Sequence, residues 1–139
     1  MSYISNTDNA GKQRTKFCKI VVISIKELFK NPNPDEKSKE LIKCIAVFLK
    51  KICNGIDESL LAWEKRNFWQ KSEKFRIEWE WTGILADKIA NALKKDDWGE
   101  IAVLITSVAK RFENVKVSEN HRLGTPWVGA GEEFDKIYG

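Results

Sequence analysis

One histidine, three cysteines and a spaced row of carboxylates are the side chains of this 139-residue chain that could do chemistry. His121 follows Arg111 by ten residues across an expected helix end, so the close Arg–His pairing of the helical ribonucleases of prokaryotic defence is missing. There is no HExxH, no ExxH and no Cys/His cluster, so neither a zinc nor a di-iron carboxylate site is expected. Glu73, Glu80 and Asp87 recur every seven residues and share one helical stripe. The paired ExxE and ExxD motifs of all-α nucleotide pyrophosphatases are not formed. Glu73–Arg76 and Arg76–Glu80 are instead spaced for intrahelical ion pairs of ~0.2–0.5 kcal/mol each. Cys18, Cys44 and Cys53 have aliphatic neighbours and no CxxC spacing, which predicts reduced core thiols in a cytoplasmic protein. The segment GTPWVGAG lacks the lysine and the preceding strand of a phosphate-binding loop. These residue types predict no catalytic machinery, no metal and no cofactor.

What remains is charge and tryptophan. The net charge of +4 conceals an asymmetry: residues 1–76 carry sixteen Lys and Arg against nine acids, and residues 77–139 carry eight against eleven. A basic half suits a polyanion, and the acidic half equally suits head-to-tail self-association. The segment Trp63–Trp81, WEKRNFWQKSEKFRIEWEW, holds four of the six tryptophans, five basic residues and four glutamates. On a helical wheel Trp69 projects into the charged sector, roughly 100° from the apolar stripe. An indole among basic side chains is the combination that follows a nucleic-acid backbone and stacks a base. Lys65, Arg66, Trp69, Lys71, Lys74 and Arg76 are therefore the candidate nucleic-acid-binding residues. The plainer alternative is that Trp69 packs beneath a chain reversal with Arg76 stacked on it.

The elements that must carry these residues read as helices. KQRTKFCKIVVISIKELFK places Phe17, Val21, Ser24, Ile25 and Leu28 at helical spacing, although KIVVISI by itself would suit a buried strand. Asn31-Pro32-Asn33-Pro34 ends this helix, and Pro34 suits the first turn of the next. Leu41, Ile45, Phe48, Ile52, Ile56, Leu60 and Trp63 form the stripe of a second helix that continues through Asn54-Gly55, with Lys39, Lys43 and Lys50 on its solvated side. The phase changes near Arg66-Asn67, and a third helix places Phe68, Phe75, Trp79, Ala86 and Leu93 on one face. Trp79 and Trp81 lie about 200° apart, so Trp81 joins Ile77, Ile84 and Leu85 on a second apolar ridge that must meet another helix or a second copy. Asp97 and Glu100 are spaced as a capping box ahead of Ile101, Leu104, Ile105, Val108 and Phe112.

The expected fold class is an all-α bundle of about four helices near 11–30, 35–65, 68–95 and 98–113. A flexible stretch 1–10 precedes the bundle of 11–113. An extended tail over 114–139 follows, folding back so that Trp127 fills a surface groove, with one helical turn allowed in EEFDKIY. No run is long enough and apolar enough to span a membrane.

A small, basic, all-helical chain with WEKRNFWQKSEKFR in mid-helix resembles the small subunit of type III CRISPR effector complexes. That resemblance, carried by size, class and charge over residues 10–113, implies a non-catalytic bundle that stacks into a filament. Such a bundle holds single-stranded RNA or DNA by its backbone alongside other protein subunits. The alternative is a homo-oligomeric adaptor or scaffold without a nucleic-acid role, for which the ridge Ile77, Trp81, Ile84 and Leu85 would be the interface.

Overall fold

The computed structural model describes the backbone from Ser2 to Gly139 and the side chains from Ala10 onward. Six helical segments follow one another: α1 (Ser2–Lys30), α2 (Glu36–Lys65), α3 (Trp69–Trp79), α4 (Trp81–Lys94), α5 (Trp98–Arg111) and α6 (Ala130–Tyr138). No strand occurs among the described residues. The all-α class is as expected, but the count and several ends differ. Helix α1 is helical from Ser2, well before residue 11. Of the expected flexible stretch 1–10, Met1 and the side chains of residues 1–9 lie outside the described residues.

The β-branched run in α1 is helical because it is enclosed. All six residues from Ile20 to Ile25 are buried, Ser24 among them, and a helix apolar all round belongs inside a fold. One side packs along α2, while Val115, Val117, Leu123 and Trp127 from the segment after α5 contribute to the same apolar clusters. The Ser24 hydroxyl donates to the Ile20 carbonyl at 2.8 Å and lies 3.4 Å from Cys44 Sγ, so the one polar group in the run is satisfied.

Helix α2 is the centre of the bundle. Its predicted stripe is buried at Leu41, Ile45, Ile52, Ile56 and Leu60, and a second face through Ile42, Ala46 and Leu49 is buried as well. Two apolar faces let it touch α1, α3, α4 and α6, and each fully buried aliphatic side chain contributes ~1.5–3 kcal/mol. Helix α2 starts one residue after the expected 35, so Pro34 precedes the N-cap instead of occupying the first turn. Asp35 is its N-cap, accepting from the Ser38 backbone N–H at 2.9 Å, and this bond lowers the Asp35 pKa.

The reversal near Arg66 is a Schellman motif. Asn67 adopts φ 62°, the Phe68 N–H reaches the Trp63 carbonyl at 3.0 Å and the Asn67 N–H reaches Glu64 at 3.0 Å. Asn67 is thus the breaker, tolerated because asparagine visits the left-handed region at low cost. Asn67→Val is expected to destabilise the protein by ~1–2 kcal/mol, whereas Asn67→Gly should leave stability unchanged or raise it. Urea unfolding followed by circular dichroism measures both; a valine variant as stable as the glycine variant would contradict this cap.

The single third helix expected over 68–95 is interrupted at Glu80. There Thr82 Oγ1 donates to the Trp79 carbonyl at 2.7 Å, and the bond from Ile84 N–H to the Glu80 carbonyl is stretched to 3.5 Å. Beyond the break, Gly83 brings α4 onto α2: a Cβ at this position would stand 2.6 Å from Cys53 Sγ. Helix α4 ends in a second Schellman motif, with Asp96 at φ 53° and the Asp97 N–H on the Ala92 carbonyl at 3.0 Å. This explains why the predicted capping box is half formed. The Asp97 carboxylate caps the Glu100 N–H at 3.1 Å, but the Asp97 N–H already serves Ala92.

The expected extended tail over 114–139 is irregular only as far as Gly129, whose φ of 83° turns the chain into α6. Ala130 and Phe134 are buried as α6 lies along α2. The pattern Ala130, Phe134, Tyr138 is helical spacing that its short length and the glycines around it obscured.

Candidate functional site

The corner joining α2 to α3 carries most of the predicted binding residues. Trp69 opens α3 and is 60% exposed, so the indole does not pack beneath the reversal. Lys65, Arg66, Lys71 and Lys74 on the same segment are exposed as well. Phe68, predicted for the core, is instead 50% exposed at the N-cap of α3, because the Schellman turn rotates it off the buried face. Ser72, one turn on, is buried and donates to the Phe68 carbonyl at 2.9 Å, which holds the first turn of α3 closed.

Two of the predicted cations have work inside the fold. Arg76 reaches across to Glu64 of α2 at 3.0 Å and along its own helix to Glu73 at 3.1 Å. The Glu64 pair replaces the Arg76–Glu80 pairing predicted from spacing, since only the folded corner brings α2 within reach. Arg76 therefore ties the corner together rather than presenting charge outward. Lys71 lies with its Nζ 4.7 Å from the centre of the Trp63 ring, covering one face of that indole.

The second ridge is divided. Trp81 is half-buried with its ring edge-on to Phe112 at 5.1 Å and the Arg111 guanidinium 4.9 Å above it, and Leu85 packs against the same core. Ile77 is 64% and Ile84 52% exposed. Trp81 thus meets the C-terminal end of α5. At 100° per residue Ile77 and Ile84 form one edge of this ridge and Trp81 and Leu85 the other, so the helix buries one edge and leaves the other in solvent.

A feature that spacing did not reveal adjoins this corner. A groove of about 370 Å3 runs between α1 and the second half of α2, reaching Phe75 of α3. Among the described residues its cations are Arg14, Lys51 and Arg66, its one acid is Glu58, and its apolar wall includes Phe17, Trp63 and Phe75. Arg14 lies over the rings of Phe75 and Trp79 at 5.0 and 5.5 Å. Lys51 pairs with Glu133 of α6 at 3.1 Å and stacks on Phe48 at 4.7 Å. The available signal was the spacing of Gly11, Arg14 and Phe17 on one helix and Gly55, Ser59 and Ala62 on the other, small residues that leave the trough open.

The groups weighed for catalysis are used structurally. Burial pushes the Cys18 and Cys44 thiols up to about 11, and Cys53 is raised for the same reason, so all three stay protonated near neutrality. His121 accepts the Leu123 backbone N–H at Nδ1, 3.2 Å away, within the segment after α5. Asp87 accepts from Lys50 and from the Tyr138 hydroxyl, both at 3.0 Å. Among the described residues no group of His, Cys, Asp and Glu is placed to hold a metal, and no helix is long and apolar enough to cross a membrane.

No family model, curated protein or solved structure matches the chain.

Proposed function

We propose that the protein binds the backbone of single-stranded nucleic acid at the α2–α3 corner, without catalysis, as one subunit of a larger ribonucleoprotein assembly. The observation that carries this reading is the 60% exposed indole of Trp69 within a segment whose Lys65, Arg66 and Lys74 are exposed as well. An exposed tryptophan is costly to leave in water, and basic side chains around it supply the charge that phosphates neutralise. Stacking accepts any base, so the surface would follow a strand without reading its sequence.

Binding of single-stranded oligonucleotides should be independent of sequence and fall steeply with salt. For three or four phosphate contacts, log K against log salt is expected to slope at roughly −2 to −3. Replacing Lys65 and Lys74 together by Ala should flatten that slope by about 1.4. Trp69→Ala should instead weaken binding by ~1–3 kcal/mol at nearly constant slope, since stacking releases few ions. Fluorescence anisotropy at low salt and high protein concentration measures both. Variants that bind like the wild type would transfer the corner, with exposed Ile77 and Ile84, to the adaptor reading, in which a protein partner covers it.

A further inference from the structure

We infer that the groove between α1 and α2 is a second binding element, one that takes a single nucleotide unit with its phosphate on Arg14 and its ring against the wall of Phe17, Trp63 and Phe75. The inference deepens the proposed function and rests on it for the source of the ligand.

Size is the first support. At about 370 Å3 the groove falls within the ~300–1,000 Å3 range of small-ligand sites, and it is open enough to admit a unit still joined to its neighbours.

Charge is the second. Arg14 has no carboxylate partner among the described residues, and the aromatic faces of Phe75 and Trp79 hold its guanidinium in place. An arginine already fixed on rings loses little freedom when it takes a phosphate, and its planar fork suits two phosphate oxygens. Arg66, the C-cap residue of α2, also lines the groove and belongs to the basic segment that carries Trp69. A strand lying over that corner would therefore enter the groove beside a second arginine. Glu58, the one acid among the described lining residues, is exposed, and Lys51 shares its charge with Glu133.

Complementarity of the remaining lining is the third. Half-buried Trp63, Phe75 and Phe17 offer apolar surface to a planar ring, while Gln13 and Ser59 offer donors and acceptors to a sugar or to base edges. A simple anion would use only the arginine, and a plain hydrocarbon would leave the arginine bare. A phosphate-bearing ring uses both.

The test is titration of the intact chain, followed by tryptophan fluorescence because Trp63 lines the groove. The ligands are nucleoside monophosphates, the matching unphosphorylated nucleosides and single-stranded oligonucleotides. Arg14→Gln and Ser59→Leu remove the phosphate anchor and fill the trough, respectively. Ser59→Leu changes a half-exposed position, so it keeps the test alive if loss of Arg14 loosens Phe75 and Trp79. Thermal unfolding confirms that each variant is folded. The expected result is that monophosphates bind better than nucleosides, and that both variants weaken monophosphate and oligonucleotide binding roughly tenfold or more. If oligonucleotides bind both variants as they bind the wild type, while Trp69→Ala weakens them, the groove inference falls and the proposed function stands. If monophosphates bind and oligonucleotides do not, the groove stands and the strand-binding reading falls. If neither ligand binds the wild type, both fall.

Discussion

Phe134→Ala is expected to cost ~3–5 kcal/mol, the usual loss for a buried phenylalanine, and to lower the melting temperature by roughly 10–15 °C. The ring is only 4% exposed and packs against Tyr138 with centroids 5.0 Å apart, while Lys43 covers it from α2 at 5.7 Å. Around it α6 is fastened by Lys51 to Glu133 at 3.1 Å, by Lys94 donating to the Tyr138 carbonyl, and by the Tyr138 hydroxyl donating to Asp87 at 3.0 Å. Burial first, and the Asp87 carboxylate second, push the Tyr138 pKa up, so the hydroxyl remains a donor across the ordinary pH range. Because these bonds reach α2 and α4 together, α6 should melt with the bundle in one transition. Ile137→Ala, at a position 41% exposed, is the control and should shift the midpoint only slightly. A Phe134→Ala protein that keeps the wild-type midpoint would mean that α6 frays independently and leaves Lys51 free of Glu133.

Gly83→Val is expected to destabilise the protein by about 3 kcal/mol, at the upper end of overpacking costs. The Cβ alone would meet Cys53 Sγ at 2.6 Å and Cys53 Cβ at 3.3 Å, and both helices are anchored nearby by buried residues on either side. Neither α2 nor α4 can retreat without opening the layer formed by Leu49, Ile52, Ala86 and Ala90, all essentially inaccessible. Cys53→Ala removes the sulfur that makes the closer of the two contacts. It should be mild alone and should recover part of the loss in the double variant, a coupling of ~0.5–3 kcal/mol. Strict additivity of the two substitutions in urea unfolding would show that Gly83 is not required by this crossing.

The sequence by itself determined the all-α class, because an apolar residue every third or fourth position can be buried on one side only by a helix. It located the stripes of α1, α2 and α5, the end of α1 at Asn31 and the cap at Asp97, since each depends on residues within a turn of one another. It also pointed to Trp69 as the aromatic residue off the apolar face, and the indole is exposed. Tertiary structure decided what each face meets. Asn67 became a helix stop only once its left-handed conformation was supported by two carbonyls of α2, a role no composition rule assigns to a lone asparagine. That turn exposed Phe68 and brought Glu64 to Arg76, removing one cation from the predicted surface. Trp81 went to the end of α5 and Leu85 to the core while Ile77 and Ile84 stayed in solvent, because they lie on opposite edges of the ridge and only one edge meets a neighbouring element. The groove with Arg14 lies between residues some forty positions apart along the chain, and α6 docks on α2 from farther still. Periodicity specifies which side chains share a face; which faces meet depends on shape and charge complementarity between distant segments, and that exists only in the folded chain.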